Sequence, residues 1–330
     1  MKTSFVVITT INEVNNCIQA WAREYPKSLI VVGDLKTPSN WHLPDNLYIS
    51  PEDRGNSRFK INSVLPFNHY SRKMLGYLTA FELGADVVID SDDDNMPSIN
   101  HQFPSFEGNF DLAVTDDKYF NAFRHFSSPN ERIWPRGLPL KWVNRPTTYR
   151  LQTENISIGV WQGLADGDSD VDAIYRLTSD KPIKFIEAQP LVMPLGVLAP
   201  FNSQNTAFVR KVFPLLYLPG FVTFRFTDIL RGYVAQHVMK VHNLHLGYSG
   251  ASVFQERNPH DYLIDFISEY PMYVHTEEIN EVLSSAVKSQ YGVRENLLMC
   301  YEALFYRKFV KQEEMELLEA WNSDLVKIGF

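Results

Sequence analysis

Apolar residues recur along this chain at two spacings, and the switches between them predict its elements. Three runs are consecutive and β-branched: Thr3 to Thr10, Ser28 to Gly33, and Val87-Val88-Ile89 after Gly84. Such runs read as strands covered on both faces. Between the first two, Cys17, Ile18, Trp21 and Ala22 share one helical face, with Asn12 placed to cap and Glu13 in the first turn. A β-α-β opening predicts a parallel sheet with a right-handed crossover. Residues 36–68 are rich in Pro, Asn and Asp and read as loops around a short strand at Leu47–Ser50. From Tyr70 to Leu83 the residues Met74, Leu75, Tyr77, Leu78 and Phe81 repeat at helical spacing, with Ser71 or His69 near the start and Gly84 at the close.

Beyond residue 100 the pattern loosens. Asp111 to Thr115, Phe185 to Met193 and Leu244 to Phe254 read as strands, and residues 117–152 as irregular. Thr227 or Asp228 can cap a helix carried by Ile229, Leu230, Tyr233, Val234, His237 and Val238. Further helices are expected over Glu277–Lys288, Glu295–Val310 and Glu313–Lys327. The composition turns Glu/Leu-rich near residue 260, which sets off a helical subdomain, residues 266–330.

The polar residues change the picture most where a strand meets acid. Asp90, Asp92, Asp93 and Asp94 follow Ile89 directly. Like charges this close repel, more so where water is excluded, and a divalent cation would relieve them. Asp92 and Asp94 are two apart, so both carboxylates can face one side of an extended segment, and their hard oxygens suit Mg²⁺ or Mn²⁺. A solvated acidic turn is the plainer alternative. An EF-hand is excluded, because its Gly and distal Glu are missing. Arg72 and Lys73 open a helix at the wrong end for cations, which either a bound phosphate or plain solvent exposure would explain. Arg136 sits in a turn stiffened by Pro135, Gly137 and Pro139. Asp166, Asp168, Asp170 and Asp172 alternate, as an active-site loop or as a polar turn before a helix near Val171. The stretch from Ala199 to Thr206 offers the amides of Asn202 and Gln204 to sugar hydroxyls, or simply to its own loop.

Composition adds exclusions. With 45% hydrophobic and 21% charged residues the chain is an ordinary globular one. A net charge of −8 with no basic run argues against nucleic acid. The first turn has no G-x-G-x-x-G, so NAD and FAD are not expected. Cys17 and Cys300 make neither a disulfide framework nor a metal cage. No apolar run is long enough to span a bilayer, and no signal segment precedes the first strand. The expected location is cytoplasmic, or peripheral to a membrane.

Taken in order, these features resemble a nucleotide-sugar glycosyltransferase of the GT-A fold, and several strings narrow the resemblance. Tyr70-Ser-Arg-Lys73, Asp92-Asp-Asp-Asn95, Trp134-Pro-Arg-Gly-Leu-Pro-Leu140, Gly163-Leu-Ala-Asp-Gly-Asp168, Ala199-Pro-Phe-Asn-Ser-Gln-Asn-Thr206 and Phe224-Arg-Phe-Thr-Asp-Ile229 are similar to blocks of the STELLO-type glycosyltransferase-like domain, over nearly all of residues 3–270. More distantly, they resemble reversibly glycosylated polypeptides, the UDP-arabinopyranose mutases. In that family an Arg in an Arg-Gly-aromatic-Pro setting becomes glycosylated. Arg136-Gly-Leu-Pro139 matches the place, with Leu138 for the aromatic residue.

The resemblance implies an α/β, GT-A-like fold: a Rossmann-like, mostly parallel sheet flanked by helices, with a helical C-terminal extension. Residues 1–115 would hold the nucleotide-sugar and residues 116–265 the acceptor. Asp92 and Asp94 would bind Mn²⁺ or Mg²⁺ across the diphosphate of a UDP-sugar, with His260, His242 or His245 as a third ligand. Asp34 would hydrogen-bond the base, Thr9 and Thr10 would line the nucleoside, and Arg72, Lys73 and Asp93 would face the diphosphate. Asp228 would be the general base, or else a helix cap, and Arg136 would stand near the donor sugar. Asp166, Asp168, Asn202 and Gln204 would lie on the acceptor side. The implied function is metal-dependent glycosyltransfer from a UDP-linked donor to a glycan or lipid-linked acceptor, with association with other glycan-synthesis proteins. A UDP-sugar mutase working through Arg136 and a non-catalytic nucleotide-sugar-binding or glycan-synthase assembly protein are the alternatives.

Overall fold

The structure is a computed structural model, and it describes residues 2–52, 58–179, 181–256 and 261–330. The three β-branched runs form β1 (Ser4–Thr10), β2 (Leu29–Gly33) and β4 (Val87–Ser91), joined at the edge by β3 (Leu47–Ile49). These four strands are parallel, in the order β3-β2-β1-β4. Helix α1 (Asn16–Glu24) supplies the first crossover. Asn15 caps it by accepting from the Ile18 amide (2.9 Å), in place of the expected Asn12. Helix α2 (Lys73–Glu82) lies so close to the sheet that a Cβ on Gly76 would come within 2.4 Å of Val7.

Beyond β4 the sheet is mixed. The short β5 (Asn95–Pro97) follows β4 directly. β6 (Glu107–Val114) is antiparallel to β7 (Arg150–Gly167). β9 (Asn205–Val209) is antiparallel to both β4 and β7, and β10 (His245–Gln255) runs parallel to β7. The expected strand at Phe185–Met193 shrinks to β8, Leu191–Val192. Helix α3 (Ala173–Thr178) starts on Asp172, which accepts from the Tyr175 amide (2.8 Å). Helix α4 (Thr227–Val241) is buried along almost its whole length.

The C-terminal helices α5 (Tyr262–Ala286), α6 (Val293–Tyr306) and α7 (Gln312–Lys327) share one continuous core with the sheet. Buried acids stitch them on. Asp324 accepts the amides of Lys60 and Ile61 (2.8 Å each), and Glu314 accepts those of Phe221 (2.8 Å) and Gly220 (3.3 Å). α5 begins at Tyr262, well ahead of the expected Glu277, because its first turns are patterned inside out. Asp265 and Glu269 face inward onto Arg225, while Leu263, Ile264, Ile267, Tyr270 and Val274 are exposed. Pro271 within the helix further hides the period.

Candidate active site

The strand directions decide where chemistry can sit. β1, β4, β7 and β10 all end at one edge of the sheet, and β9 starts there, because it runs antiparallel to β4 and β7. Ligands of open α/β sheets bind outside such carboxyl ends. A cleft of about 260 Å³ opens at this edge. Thr9, Asp92, Asp93 and Asp94 line one wall; Arg136, Asp168, Asn202, Gln204 and Asp228 line the other. Residues from remote parts of the chain thus meet in one cleft. Thr10, Asp34, Arg72, Lys73 and Asp166 do not line the cleft. His260 lies outside the described residues.

On the first wall the acids divide into answered and unanswered ones. Asp90 is buried between Lys73 Nζ (2.8 Å) and Arg231 Nη1 (2.8 Å). Lys73 Nζ also donates to Asp92 Oδ1 (2.7 Å). Burial opposes the Lys73 charge, but Asp90 and Asp92 outweigh it and raise its pKa. Lys73 is therefore neither solvent-facing nor aimed at a ligand. Asp92 is pushed up to about 7 by desolvation, with Lys73 pulling down and Asp94 pushing up. The 37% of its side-chain surface left open to the cleft tempers that rise. Asp93 turns back to the first turn, accepting from Thr10 Oγ1 (2.5 Å) and Asn12 Nδ2 (3.0 Å). Asp94 Oδ2 accepts from Gln255 Nε2 (2.9 Å), whereas Oδ1 is buried with no partner among the described residues. Burial raises the pKa of Asp94 as well.

This wall fits a divalent cation held in part by substrate. Among the described residues, no three His, Cys, Asp or Glu side chains gather to hold a metal on their own. Asp92 and the orphaned oxygen of Asp94 offer two carboxylates, and Mg²⁺-type sites take the rest of their shell from water and substrate phosphates. Neither His242 nor His245 can be a third ligand: His242 follows the far end of α4, and His245 opens β10 at the end opposite Gln255.

The second wall is saturated. Arg136 Nε and Nη2 donate to Asp170 (2.7 and 2.9 Å), Nη1 and Nη2 to Asp228 (2.9 Å each), and Nη1 to the Arg225 carbonyl. All five guanidinium N–H groups are thereby used. Burial works against the charge of Arg136, yet Asp170 and Asp228 hold its pKa well above the ordinary value. Burial likewise resists ionisation of Asp228, and Arg136 wins, lowering its pKa. Asp228 lies in the first turn of α4 without capping it; it accepts from the Ser203 amide (3.2 Å) as well. Gly137 keeps the turn compact: its φ is +96°, and a Cβ there would meet Ile229 at 2.7 Å.

The remaining expected residues have structural partners. Asp34 Oδ1 and Oδ2 accept the amides of Leu35 (2.7 Å) and His69 (3.2 Å). Arg72 is buried, donating to the Gly33 carbonyl (3.3 Å) and lying over Phe67, so neither residue of this pair, expected to face a diphosphate or solvent, opens onto the cleft or to solvent. Asp166 accepts the Phe185 amide (2.9 Å), and Asp168 pairs with Arg176. Asn202 Nδ2 donates to Asp170 (2.8 Å), and Gln204 meets Gln255. Asp170, Tyr70, Ser203 and Gln255 also line the cleft and were not singled out as site residues. Asp170 carried a signal in its place among the alternating acids, and Tyr70 and Ser203 lie within strings that carry the resemblance.

Comparison with known proteins bears out the STELLO-type resemblance. A family model described as STELLO glycosyltransferases matches residues 225–330. Two Arabidopsis thaliana proteins, "Probable glycosyltransferase STELLO1" and "Probable glycosyltransferase STELLO2", are 25% and 26% identical over 92% of this chain. The chain spans 41% and 42% of their lengths. Among solved structures, glucosyl-3-phosphoglycerate synthase from Mycobacterium tuberculosis, in complex with Mn²⁺, UDP and glucosyl-3-phosphoglycerate, overlaps at a TM-score of 0.42 and 16% identity, over 83% of this chain and 80% of that one. A mycobacterial protein overlaps at 0.40 and 11% identity, over 84% and 74%.

Proposed function

From this STELLO-type resemblance, we propose that the chain is a metal-dependent glycosyltransferase that moves a sugar from a UDP-linked donor to an acceptor hydroxyl on a glycan or lipid-linked glycan. The carrying observation is the pair of cleft carboxylates after β4, Asp92 part-open and Asp94 with one oxygen unpartnered. When bound there, Mn²⁺ or Mg²⁺ would neutralise charge growing on the departing diphosphate. Asp92 and Asp94 would hold it, and Lys73 fixes the orientation of Asp92 from behind. Thr9 lies where a nucleoside would enter, and Phe224, half-exposed at the rim, offers a ring face to it or to the sugar.

In the transfer, the acceptor oxygen bonds to the anomeric carbon as the sugar–phosphate bond breaks, and the hydroxyl proton needs an acceptor. Asp228 is ionised at neutral pH and sits on the cleft wall, so it is the proposed base; its pairing with Arg136 makes it a weak one. Arg136 is then a positioning residue that sets Asp170 and Asp228. The mutase reading fares worse. It asks Arg136 to attack a carbon with a guanidinium whose donors are all engaged and whose proton is held more tightly than usual. The test is UDP release from a panel of UDP-sugars with Mn²⁺ and candidate oligosaccharide acceptors. Acceptor-dependent UDP release is expected. Interconversion of sugar ring forms without UDP release would overturn the reading in favour of the mutase.

A further inference from the structure

Away from the cleft, α4, α5 and the turn from Met193 to Leu198 enclose a second cavity of about 300 Å³, which shares no lining residue with the cleft. That volume is at the lower end of the roughly 300–1,000 Å³ of small-molecule sites. Its floor is apolar, with Leu198, Met239 and Leu246. Two histidines belong to its lining: His245 has Nδ1 on the Met193 carbonyl (2.9 Å), and His237 is buried. Asn280, fully buried behind it, donates from Nδ2 to the Thr276 carbonyl (2.9 Å) and so turns Oδ1 to His237 Nε2 (2.9 Å). A partner that can only accept fixes the proton on Nε2 and leaves Nδ1 with a lone pair. Nδ1 takes no hydrogen bond from a described residue. Burial keeps the ring neutral, its pKa down at about 4, and Lys240 and Lys118 push the same way.

The rim has the opposite character. Lys240 lies against Gly196, where a Cβ would stand 3.3 Å from its Nζ, and it makes no ion pair with a described residue. Lys118 stands 3.9 Å from Glu281, both of them exposed. Two ammonium groups against one carboxylate leave the mouth net positive. The cavity therefore offers an acceptor that wants a hydroxyl at its inner end and cations that want an anion at its mouth.

We infer that this cavity is a second binding site, for a small hydroxylated anion of the sugar-phosphate or polyol-phosphate class, with a hydroxyl donated to His237 Nδ1 and the anion at Lys118 and Lys240. Occupancy would brace α4 about 14 Å from Asp228, which the same helix carries to the cleft. The inference does not depend on the proposed transferase activity. Calorimetric titration with glycerol 3-phosphate and with propyl phosphate tests it, since the two differ in little but hydroxyls. Glycerol 3-phosphate should bind about tenfold more tightly than propyl phosphate, a difference of about 1.4 kcal/mol. Lys118→Ala with Lys240→Ala should weaken it by about tenfold or more, and Ser284→Trp, which puts an indole at an exposed residue of the cavity lining, should abolish it. Asp94→Asn, in the cleft, should leave it unchanged. Equal affinity for the two phosphates, retention in the lysine and Ser284 variants, loss in Asp94→Asn, or no heat at millimolar ligand would each overturn the inference.

Discussion

The two walls of the cleft use the same chemistry to opposite ends. On one, Arg136 meets Asp170 and Asp228 and every donor it has is spent. On the other, Asp92 has one oxygen on Lys73 and Asp94 has one oxygen on nothing. A saturated cluster holds a shape; an unsaturated one, held in place by its neighbours, is where a ligand gains most. Their pKa directions say the same: Asp228 is lowered by its cation, while Asp92 and Asp94 are raised by burial that no charge fully answers. Acidity in a sequence therefore does not mark a ligand site by itself. What marks it is acid that the fold leaves unanswered.

Breaking the saturated wall should cost most. Arg136→Met strands the buried Asp228 and the part-buried Asp170, and the expected loss in urea unfolding is about 3–5 kcal/mol. A loss below about 1 kcal/mol would mean that the cluster is not closed as described. Lys73→Met strands Asp92 and leaves Asp90 to Arg231 alone, for a somewhat smaller loss of about 3 kcal/mol in the same assay. Equal stability to the parent protein would show that Asp92 does not lean on Lys73.

Glu314 sharpens the contrast, because it is a buried acid answered by amides and a tyrosine hydroxyl, with no cation among the described residues. Burial raises its pKa from 4.5 to about 7. Between those values the folded chain holds a proton that the unfolded chain has released, so this group makes stability fall as pH rises and level off above the folded pKa. Glu314→Gln removes that term. Relative to the parent, the variant should gain stability between pH 4.5 and about 8, by roughly 3 kcal/mol. A gap that stays flat across that range would put Glu314 in the ionised state throughout. The smallest expected effect on stability is that of Asp94→Asn, within about 0.5 kcal/mol of the parent, because the oxygen it alters has no partner to lose.

Much of this was readable before the fold was known, for a physical reason. β1, β2 and β4 are buried on both faces, so their apolar runs announce them, and the acid after β4 sits where a parallel strand must end. The Arg136 turn was legible as stiff, since Pro135, Gly137 and Pro139 leave it little freedom. What the sequence hid is contact between distant segments. Asp170 and Asp228 are closed on Arg136 only once β7 and α4 reach the same edge. Lys73 and Arg72 read as cations facing a phosphate or solvent because nothing local shows that Asp90 and the end of β2 will bury them. β9 was hidden because its first residue, Asn205, satisfies its amide against His101, Leu164 and Ser252 inside the sheet. α5 was hidden because its acids face in and its apolar residues face out.

The central claim is that the unanswered acids after β4 form a donor site. It is tested most directly by calorimetric titration of UDP, with GDP as control, into the protein and into Asp94→Asn, with Mn²⁺ and then with EDTA. UDP is expected to bind the parent protein only with Mn²⁺ and not to bind the folded variant. UDP binding of equal strength in EDTA, or unchanged in Asp94→Asn, would contradict it.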